Sequence, residues 1–158
     1  EAALARIADL AREIAHARDV AVVIEDHVAL AARHGLDGVH LTQGARGVRH
    51  ARKELGADAI VGAFCGASRH EGMNAGEAGA DYVSFGPLGP TALGPGTPVD
   101  LELLQWWSEV IEVPVVAEGA LDAALIRTVW PVADFIALGP EIWQAPDPAE
   151  ALSALWPV

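Results

Sequence analysis

The chain has 158 residues, which is enough for one domain with a hydrophobic core and too few for two. Its 22 acidic residues outnumber 10 lysines and arginines, and the net charge of −12 argues against binding to a nucleic-acid backbone. No apolar run approaches the roughly 20 residues of a membrane span, so we expect a cytoplasmic protein without a membrane partner. The single cysteine, Cys65, excludes an internal disulfide and is consistent with that compartment.

The chain begins with an amphipathic helical segment, residues 1–19, and then alternates between short apolar runs and segments of helical spacing. The apolar runs are rich in Val, Ile, Phe and Ala, and each predicts a β-strand: residues 20–26, 38–41, 59–65, 82–86, 113–119 and 134–139. Because these runs are apolar throughout, they predict strands that are buried on both faces. The segments between them predict helices, most of which end at Gly or Ala before an Asp-containing turn.

Regular alternation of strand and helix predicts parallel strands joined by right-handed crossovers. Polar or small residues follow almost every predicted strand, which favours a TIM (β/α)8 barrel over an open doubly wound α/β sheet. We therefore predict a single barrel domain over residues 1–158, from the second to the eighth helix of such a barrel. Since a closed barrel of this type has eight strands, we expect its first two strands and first helix to be absent from this sequence.

The segment DYVSFGPLGPTALGPGTPVD, residues 81–100, starts as a predicted strand and continues through four glycines and four prolines. Glycine allows backbone groups to approach a ligand closely, and proline restricts the backbone. At the carboxyl end of a barrel strand, this composition predicts a semi-rigid rim that shapes a ligand pocket. The same composition also suits an inert surface connection.

Three stretches carry a resemblance to a known family: DGVHLTQGARGVRHARKELGADAIVGAFCG, AGEAGADYVSFGPLGPT and VPVVAEGAL. In this order and spacing they resemble the thiamine phosphate synthase and TenI family, whose members are (β/α)8 barrels. The resemblance implies a transferase of thiamine biosynthesis that joins two small phosphorylated substrates, hydroxymethylpyrimidine pyrophosphate and thiazole phosphate. It also implies Mg²⁺ as the cofactor that holds the pyrophosphate. The TenI branch of the family aromatises the thiazole instead.

The resemblance further implies the residues of the site. Asp26, with Glu25 beside it, is the implied metal ligand. Gln43 and Thr91 are the implied pyrophosphate contacts, and Gly119 with Ala120 would offer backbone N–H groups to the thiazole phosphate. The full set of implied substrate-binding residues is Gln43, Cys65, Thr91, Gly119, Ala120 and Gly139.

Several positions depart from the pattern of the family. The family has an acid two residues after the position of Gln43, whereas residues 44–45 are Gly and Ala here. A lysine expected shortly after Thr91 is replaced by residues such as Leu93 and Gly94, which removes a charge partner of the pyrophosphate. Two alternatives therefore stay open: a TenI-like isomerase or other phosphate-ligand enzyme on the same barrel, and a non-catalytic ligand-binding homologue.

Two acids stand beside the expected thiazole-phosphate site. Glu118 and Glu141 add negative charge that would repel an anion, and Pro140 has no backbone N–H to donate. Together with Asp26, the two acids could instead ligate a cation at the barrel mouth. Asp26 alone also suits the N-cap of the helix that follows it.

Other prominent residues have structural interpretations. His40 lies within an apolar strand, which predicts a hydrogen-bonded core histidine rather than a general base. Cys65, at a strand end, is either a small buried residue or a nucleophile. The tryptophans Trp106, Trp107 and Trp143 are expected to pack helices against the barrel wall or to lie in a homodimer contact.

Overall fold

The computed structural model describes residues 2–91 and 97–155. Helices and strands alternate as the sequence predicts up to the last strand, which two helices follow instead of one. The strands are β1 Val23–Glu25, β2 Gly38–Leu41, β3 Ile60–Phe64, β4 Tyr82–Phe85, β5 Val115–Glu118 and β6 Phe135–Ala137. The helices are α1 Ala2–His16, α2 Val28–His34, α3 Val48–Leu55, α4 Arg69–Glu77, α5 Leu101–Val110, α6 Ala123–Val129, α7 Pro140–Trp143 and α8 Pro148–Leu155.

The strands form one parallel sheet in the order β1-β2-β3-β4-β5-β6. Each strand pairs with its neighbours in sequence, which is the order of a barrel wall and not that of a doubly wound sheet. The described residues therefore form six parallel strands of a partial TIM barrel, and the predicted fold class is confirmed. All six strands end at the same edge of the sheet.

The hydrophobic core lies between the outer face of the sheet and the helices. Every second strand residue points to this face, and on β2 to β5 the helices cover it so that these side chains are less than a tenth exposed. Ile24 of β1 and Ile136 of β6 are only partly buried. From β5 and α5 the core includes Val115, Ala117 and Trp107. Trp107 is fully buried, its ring packs edge-to-face against Phe85, and its indole Nε1 donates to the Val113 carbonyl at 2.7 Å. The predicted packing role of Trp107 is confirmed.

The expectation of burial on both faces is wrong for the two outer strands. Val23 of β1 is 36% exposed and Phe135 of β6 is 60% exposed, because each strand has a partner on one side only within the described sheet. β1 is also shorter than the predicted run 20–26 and starts at Val23. Trp143 is 75% exposed, so it does not pack on the barrel wall.

Three aspartates tie the amino-terminal ends of neighbouring strands together. One aspartate stands directly before each of β2, β4 and β6: Asp37, Asp81 and Asp134. Each accepts a hydrogen bond from a backbone N–H at or next to the start of the preceding strand. The donors are the N–H groups of Val22, Val61 and Val115, at 2.6, 2.7 and 2.8 Å. These aspartates are the acids of the Asp-containing turns in the sequence. They lie at the amino-terminal edge of the sheet, opposite the edge at which the strands end.

Side chains cap several of the helices that follow the strands. Ser68 caps α4, Asp100 caps α5 and Asp122 caps α6, each accepting a hydrogen bond from a backbone N–H of the first helical turn. α2 is different, because its N-cap residue is His27 and no side chain accepts a hydrogen bond there. The alternative interpretation of Asp26 as the N-cap of this helix is therefore wrong.

Candidate active site

The carboxyl ends of β4, β5 and β6 surround a cavity of about 480 Å³, called here the mouth cavity. Four of the residues implied by the sequence resemblance line it together: Thr91, Gly119, Ala120 and Gly139. These residues are spread over nearly 50 positions of the sequence and come from three different strand–helix loops. Parallel strands bring them together, because each loop leaves the sheet at the same edge.

Backbone contacts hold two of these loops against each other. The N–H groups of Leu88 and Gly89 donate to the Gly119 carbonyl at 3.2 and 2.9 Å, which joins the proline-rich loop to the end of β5. The Gly119 and Ala120 backbones turn sharply, with φ angles of 92° and 52°. The part of the proline-rich loop at Pro90 and Thr91 thus lies over the mouth cavity. Leu93 and Gly94, which replace the expected lysine, lie outside the described residues.

Two carboxylates line the mouth cavity, and they have different environments. Glu141 Oε1 accepts a hydrogen bond from the Gly139 N–H at 2.9 Å. The carboxylate of Glu141 therefore engages the backbone N–H of a residue that lines the cavity. Glu118 is half-buried at the end of β5, and its Oε1 atom is buried without a hydrogen-bond partner among the described residues. Neither an Arg nor a Lys is among the described residues that line this cavity. The mouth cavity therefore carries uncompensated negative charge.

A second cavity of about 590 Å³ lies on the concave face of the sheet, below the mouth, and is called here the interior cavity. Its polar lining residues are His40, Asp81, Tyr82, Ser84 and Glu118. His40 Nδ1 lies 2.9 Å from the Tyr82 hydroxyl and the two rings stack, so the predicted hydrogen bond is present. The predicted core position is wrong, because His40 is half-buried on the concave face and lines this cavity. Burial, and then the negative charge of Glu118, raise the pKa of Tyr82 to about 12, so the phenol stays protonated.

Gly62 explains how the Tyr82 ring lies across the concave face. A β-carbon at Gly62, directly opposite Tyr82 in the sheet register, would lie 2.0 Å from the Cζ atom of the Tyr82 ring. The missing side chain on β3 therefore leaves the space that the ring occupies. Ser84, two residues further along β4, is 1% exposed and its hydroxyl has no partner among the described residues.

Cys65 does not join the implied substrate-binding residues. Its side chain is 4% exposed and belongs to the hydrophobic core, and it lines neither the mouth cavity nor the interior cavity. Burial, and then the negative charges of Glu71 and Glu118, raise the pKa of the Cys65 thiol to about 12. A thiol in this state is a poor nucleophile at neutral pH, so the interpretation of Cys65 as a small buried residue is the correct one.

The implied metal ligand Asp26 lies at the end of β1, on the same edge of the sheet as the mouth cavity but outside its lining. Its carboxylate accepts hydrogen bonds from the Thr42 backbone N–H at 2.9 Å and from the Thr42 hydroxyl at 2.5 Å. Glu25 is exposed at the last position of β1. Gln43 is also exposed, and its Oε1 accepts a hydrogen bond from Arg46 at 3.2 Å.

No group of three or more His, Cys, Asp or Glu side chains among the described residues is arranged to hold a metal ion. The cation site suggested by Asp26, Glu118 and Glu141 is therefore wrong as a three-acid cluster, because Asp26 belongs to the β1 side of the sheet and the two glutamates to the β5–β6 side. Asp26 still fits a different kind of site. Each of its oxygens keeps a second lone pair, and Mg²⁺ in phosphate-transfer sites is commonly held by one or two carboxylates plus the substrate's own phosphates.

Sequence reasoning missed three polar residues of the site: Thr42, Tyr82 and Ser84. Thr42 holds Asp26, and the other two line the interior cavity. The two-residue period of a strand places Tyr82 and Ser84 on one face, but only the curvature of the sheet shows that this is the concave face.

Within residues 2–91 and 97–155, none of the helices combines the length and the apolar composition of a membrane span.

Comparisons with known proteins agree with this architecture. The thiamine monophosphate synthase family (TMP-TENI) matches residues 1–142. The chain is 46% identical to a thiamine-phosphate synthase of Rhodospirillum centenum over 154 residues, which are 96% of this chain and 74% of that protein. It is 43% identical to that of Erythrobacter litoralis, over 92% of this chain and 70% of that protein.

Among solved structures, the chain is similar to thiamine phosphate pyrophosphorylase from Pyrococcus furiosus. The TM-score is 0.85 at 28% sequence identity, with 96% of this chain and 73% of that chain covered. The family that the three sequence stretches resemble is thereby confirmed. The chain belongs to the thiamine monophosphate synthase family.

Proposed function

We propose that this chain is a thiamine-phosphate synthase, a transferase that joins hydroxymethylpyrimidine pyrophosphate to thiazole phosphate and releases pyrophosphate. Family membership and the identity of 46% to a thiamine-phosphate synthase support this assignment. The structural observation that carries it is the mouth cavity, in which Thr91, Gly119, Ala120 and Gly139 converge. Its volume of about 480 Å³ is within the usual range of small-molecule sites.

The reaction needs two substrates, each with an anionic group, to be held with their rings facing each other. In this proposal the Thr91 hydroxyl donates to the pyrophosphate, and the backbone turn at Gly119 and Ala120 binds the thiazole phosphate. The joined loops of β4 and β5 keep these two positions at a constant separation. Gln43, Cys65 and Gly139 stay predictions as substrate contacts. Cys65 would contribute only through its backbone, because its thiol lies in the core.

Mg²⁺ is part of this proposal, with Asp26 as its protein ligand and Glu25 as a second candidate. When bound, the ion would neutralise the negative charge that grows on the leaving pyrophosphate. The two hydrogen bonds from Thr42 fix the orientation of the Asp26 carboxylate before any ion binds. The predicted homodimer and cytoplasmic location stay predictions, which light scattering and cell fractionation would test.

A turnover assay tests the proposal directly. The protein is incubated with hydroxymethylpyrimidine pyrophosphate, thiazole phosphate and Mg²⁺, and thiamine phosphate is quantified. Thr91→Val keeps the shape of the side chain and removes its hydroxyl, so we expect kcat/KM to fall about 10-fold or more. Thr128→Val is the matched control, because the Thr128 hydroxyl donates only to the Ala124 carbonyl within α6.

Three outcomes separate the candidate functions when this assay is combined with an aromatisation assay and a thermal-shift measurement. Formation of thiamine phosphate, with a loss in Thr91→Val and not in Thr128→Val, supports the proposal. Aromatisation of a thiazole precursor without transfer would favour a TenI-like isomerase. Binding of thiazole phosphate in a thermal-shift measurement without any turnover would favour a non-catalytic homologue.

A further inference from the structure

Glu118 has no role in the proposed function, although it lies in the candidate active site. Its side chain lines both the mouth cavity and the interior cavity, at the level where the two meet. Its Oε1 atom is buried and has no donor among the described residues. Buried polar oxygens are normally hydrogen-bonded in folded proteins, so a buried oxygen without a donor calls for an explanation. Because Glu118 lines both cavities, a molecule that binds in them can supply the missing partner.

The surroundings of Glu118 offer no positive charge that could act as this partner. Neither an Arg nor a Lys is among the described residues that line the two cavities. The nearby buried Ser84 hydroxyl is itself without a partner. The negative charge of Glu118 also raises the pKa of two other groups, Tyr82 and Cys65, although burial is the larger cause for both. The charge of the carboxylate thus reaches Tyr82 on the concave face and Cys65 in the core.

The chain also makes room for this side chain. A β-carbon at Gly86, at the end of β4, would lie 2.6 Å from the Glu118 carbonyl oxygen and 2.8 Å from its Cγ atom. The absence of a side chain at Gly86 therefore lets β5 place Glu118 close to β4. In this position the carboxylate lies beneath the cavity that Thr91 and Gly119 line from above.

The chemistry of the proposed reaction supplies a positive charge at this depth. The bond between the pyrimidine methylene carbon and the pyrophosphate oxygen breaks, and its electron pair leaves with pyrophosphate. The lone pair of the thiazole nitrogen then forms the new carbon–nitrogen bond, and no proton is lost. Positive charge develops first on the pyrimidine methylene and ends on the thiazolium nitrogen of the product. In the proposed function the phosphates bind at the rim, which directs the rings inward toward the floor of the cavity.

We propose that the Glu118 carboxylate contacts the rings of the bound substrates and stabilises the positive charge that develops on them when pyrophosphate leaves. This inference rests on the proposed function and adds a catalytic residue to it. Glu118 binds the charged transition state and the cationic product more strongly than the neutral thiazole ring, as an electrostatic catalyst must.

A pair of ligands that differ in charge tests this directly. Thiazole phosphate is neutral at its ring, and its N-methylated thiazolium form carries the product's positive charge at nearly the same size. Dissociation constants for both are measured by calorimetry on the wild type and on Glu118→Gln, which removes the charge and keeps the shape. We expect the preference of the wild type for the thiazolium form to fall about 10-fold or more in Glu118→Gln. Glu112→Gln is the control, since Glu112 is exposed beyond the other end of β5.

Kinetics and stability complete the test. We expect kcat of Glu118→Gln to fall by about 10- to 100-fold with little change in KM for thiazole phosphate. Its thermal midpoint should stay close to that of the wild type, because the substitution keeps the shape of the side chain and breaks no hydrogen bond of the buried Oε1 atom. A structural role would instead lower the midpoint.

The failures of the two proposals are distinguishable. If the wild type forms thiamine phosphate but Glu118→Gln keeps both kcat and the ratio of the two dissociation constants, the role of Glu118 is refuted and the synthase function stands. If the wild type binds neither thiazole ligand and forms no product, the proposed function fails and the inference fails with it.

Discussion

Removing the Asp81 carboxylate should destabilise the protein without touching the mouth cavity. Asp81 Oδ2 accepts hydrogen bonds from the Val61 backbone N–H at 2.7 Å and from the Arg52 guanidinium at 2.5 Å. Val61 is fully buried, so Asp81→Ala leaves its N–H without an acceptor, which costs about 1–3 kcal/mol. The ion pair with Arg52 adds only about 0.2–1 kcal/mol, since the Asp81 side chain is 46% exposed.

The free energy of unfolding of Asp81→Ala should therefore be about 1–4 kcal/mol below that of the wild type. At roughly 2–4 °C per kcal/mol for a chain of this size, the thermal midpoint falls by about 2–16 °C. Asp81→Asn retains an acceptor oxygen and should lose about 1 kcal/mol. The measurements are urea denaturation and differential scanning calorimetry.

The control for this prediction is Asp58→Ala. Asp58 is an exposed aspartate in the turn before β3, and its substitution should change stability by less than about 0.5 kcal/mol. If Asp58→Ala costs as much as Asp81→Ala, or if Asp81→Asn costs as much as Asp81→Ala, the acceptor role of Asp81 is refuted. Equal losses would point to net charge or to turn propensity instead.

Two further predictions follow from pKa values. Burial opposes ionisation of Asp37, yet the hydrogen bond from the Val22 N–H and the contact with His16 hold the pKa of this carboxyl below its ordinary value of 3.8. Asp37→Asn should therefore lower the free energy of unfolding by about 1 kcal/mol at pH 7. This loss should shrink as the pH falls below about 4, because the wild-type carboxylate then becomes protonated. Urea denaturation between pH 7 and 3 measures it, and a difference between the two proteins that stays constant with pH would contradict the prediction. Because burial raises the pKa of Cys65 to about 12, its thiol should react with iodoacetamide at pH 8 only after unfolding in urea, and rapid labelling of the folded protein would show the thiol to be accessible.

The alternation of strands and helices was predictable because it depends on local composition. Apolar runs rich in β-branched residues predict buried strands wherever they occur, and each of the six observed strands lies within one of the predicted runs. Five of the six runs are longer than the strands they contain, and only the run at β2 has the same bounds. At β1, for example, residues 20–22 precede the paired segment, and the Val22 N–H donates to Asp37 instead of to a neighbouring strand.

The directions of individual side chains were not predictable in the same way. Cys65 and Glu118 both stand at the end of an apolar strand, yet the thiol lies in the core and the carboxylate lies between the two cavities. A shift of one residue in strand register moves a side chain to the opposite face of the sheet. Such a shift leaves the local composition unchanged, so the sequence does not reveal it.

The sequence by itself determined the order of strands and helices, the parallel sheet and the strand ends that carry the site, because these depend on residues close together along the chain. Only the tertiary structure decided that Thr91 and Gly139 share a cavity and that Asp26 lies outside it. It also decided that Glu118 presents a buried oxygen without a partner. These facts depend on contacts between distant segments, which form only when the sheet curves and its loops meet at one edge.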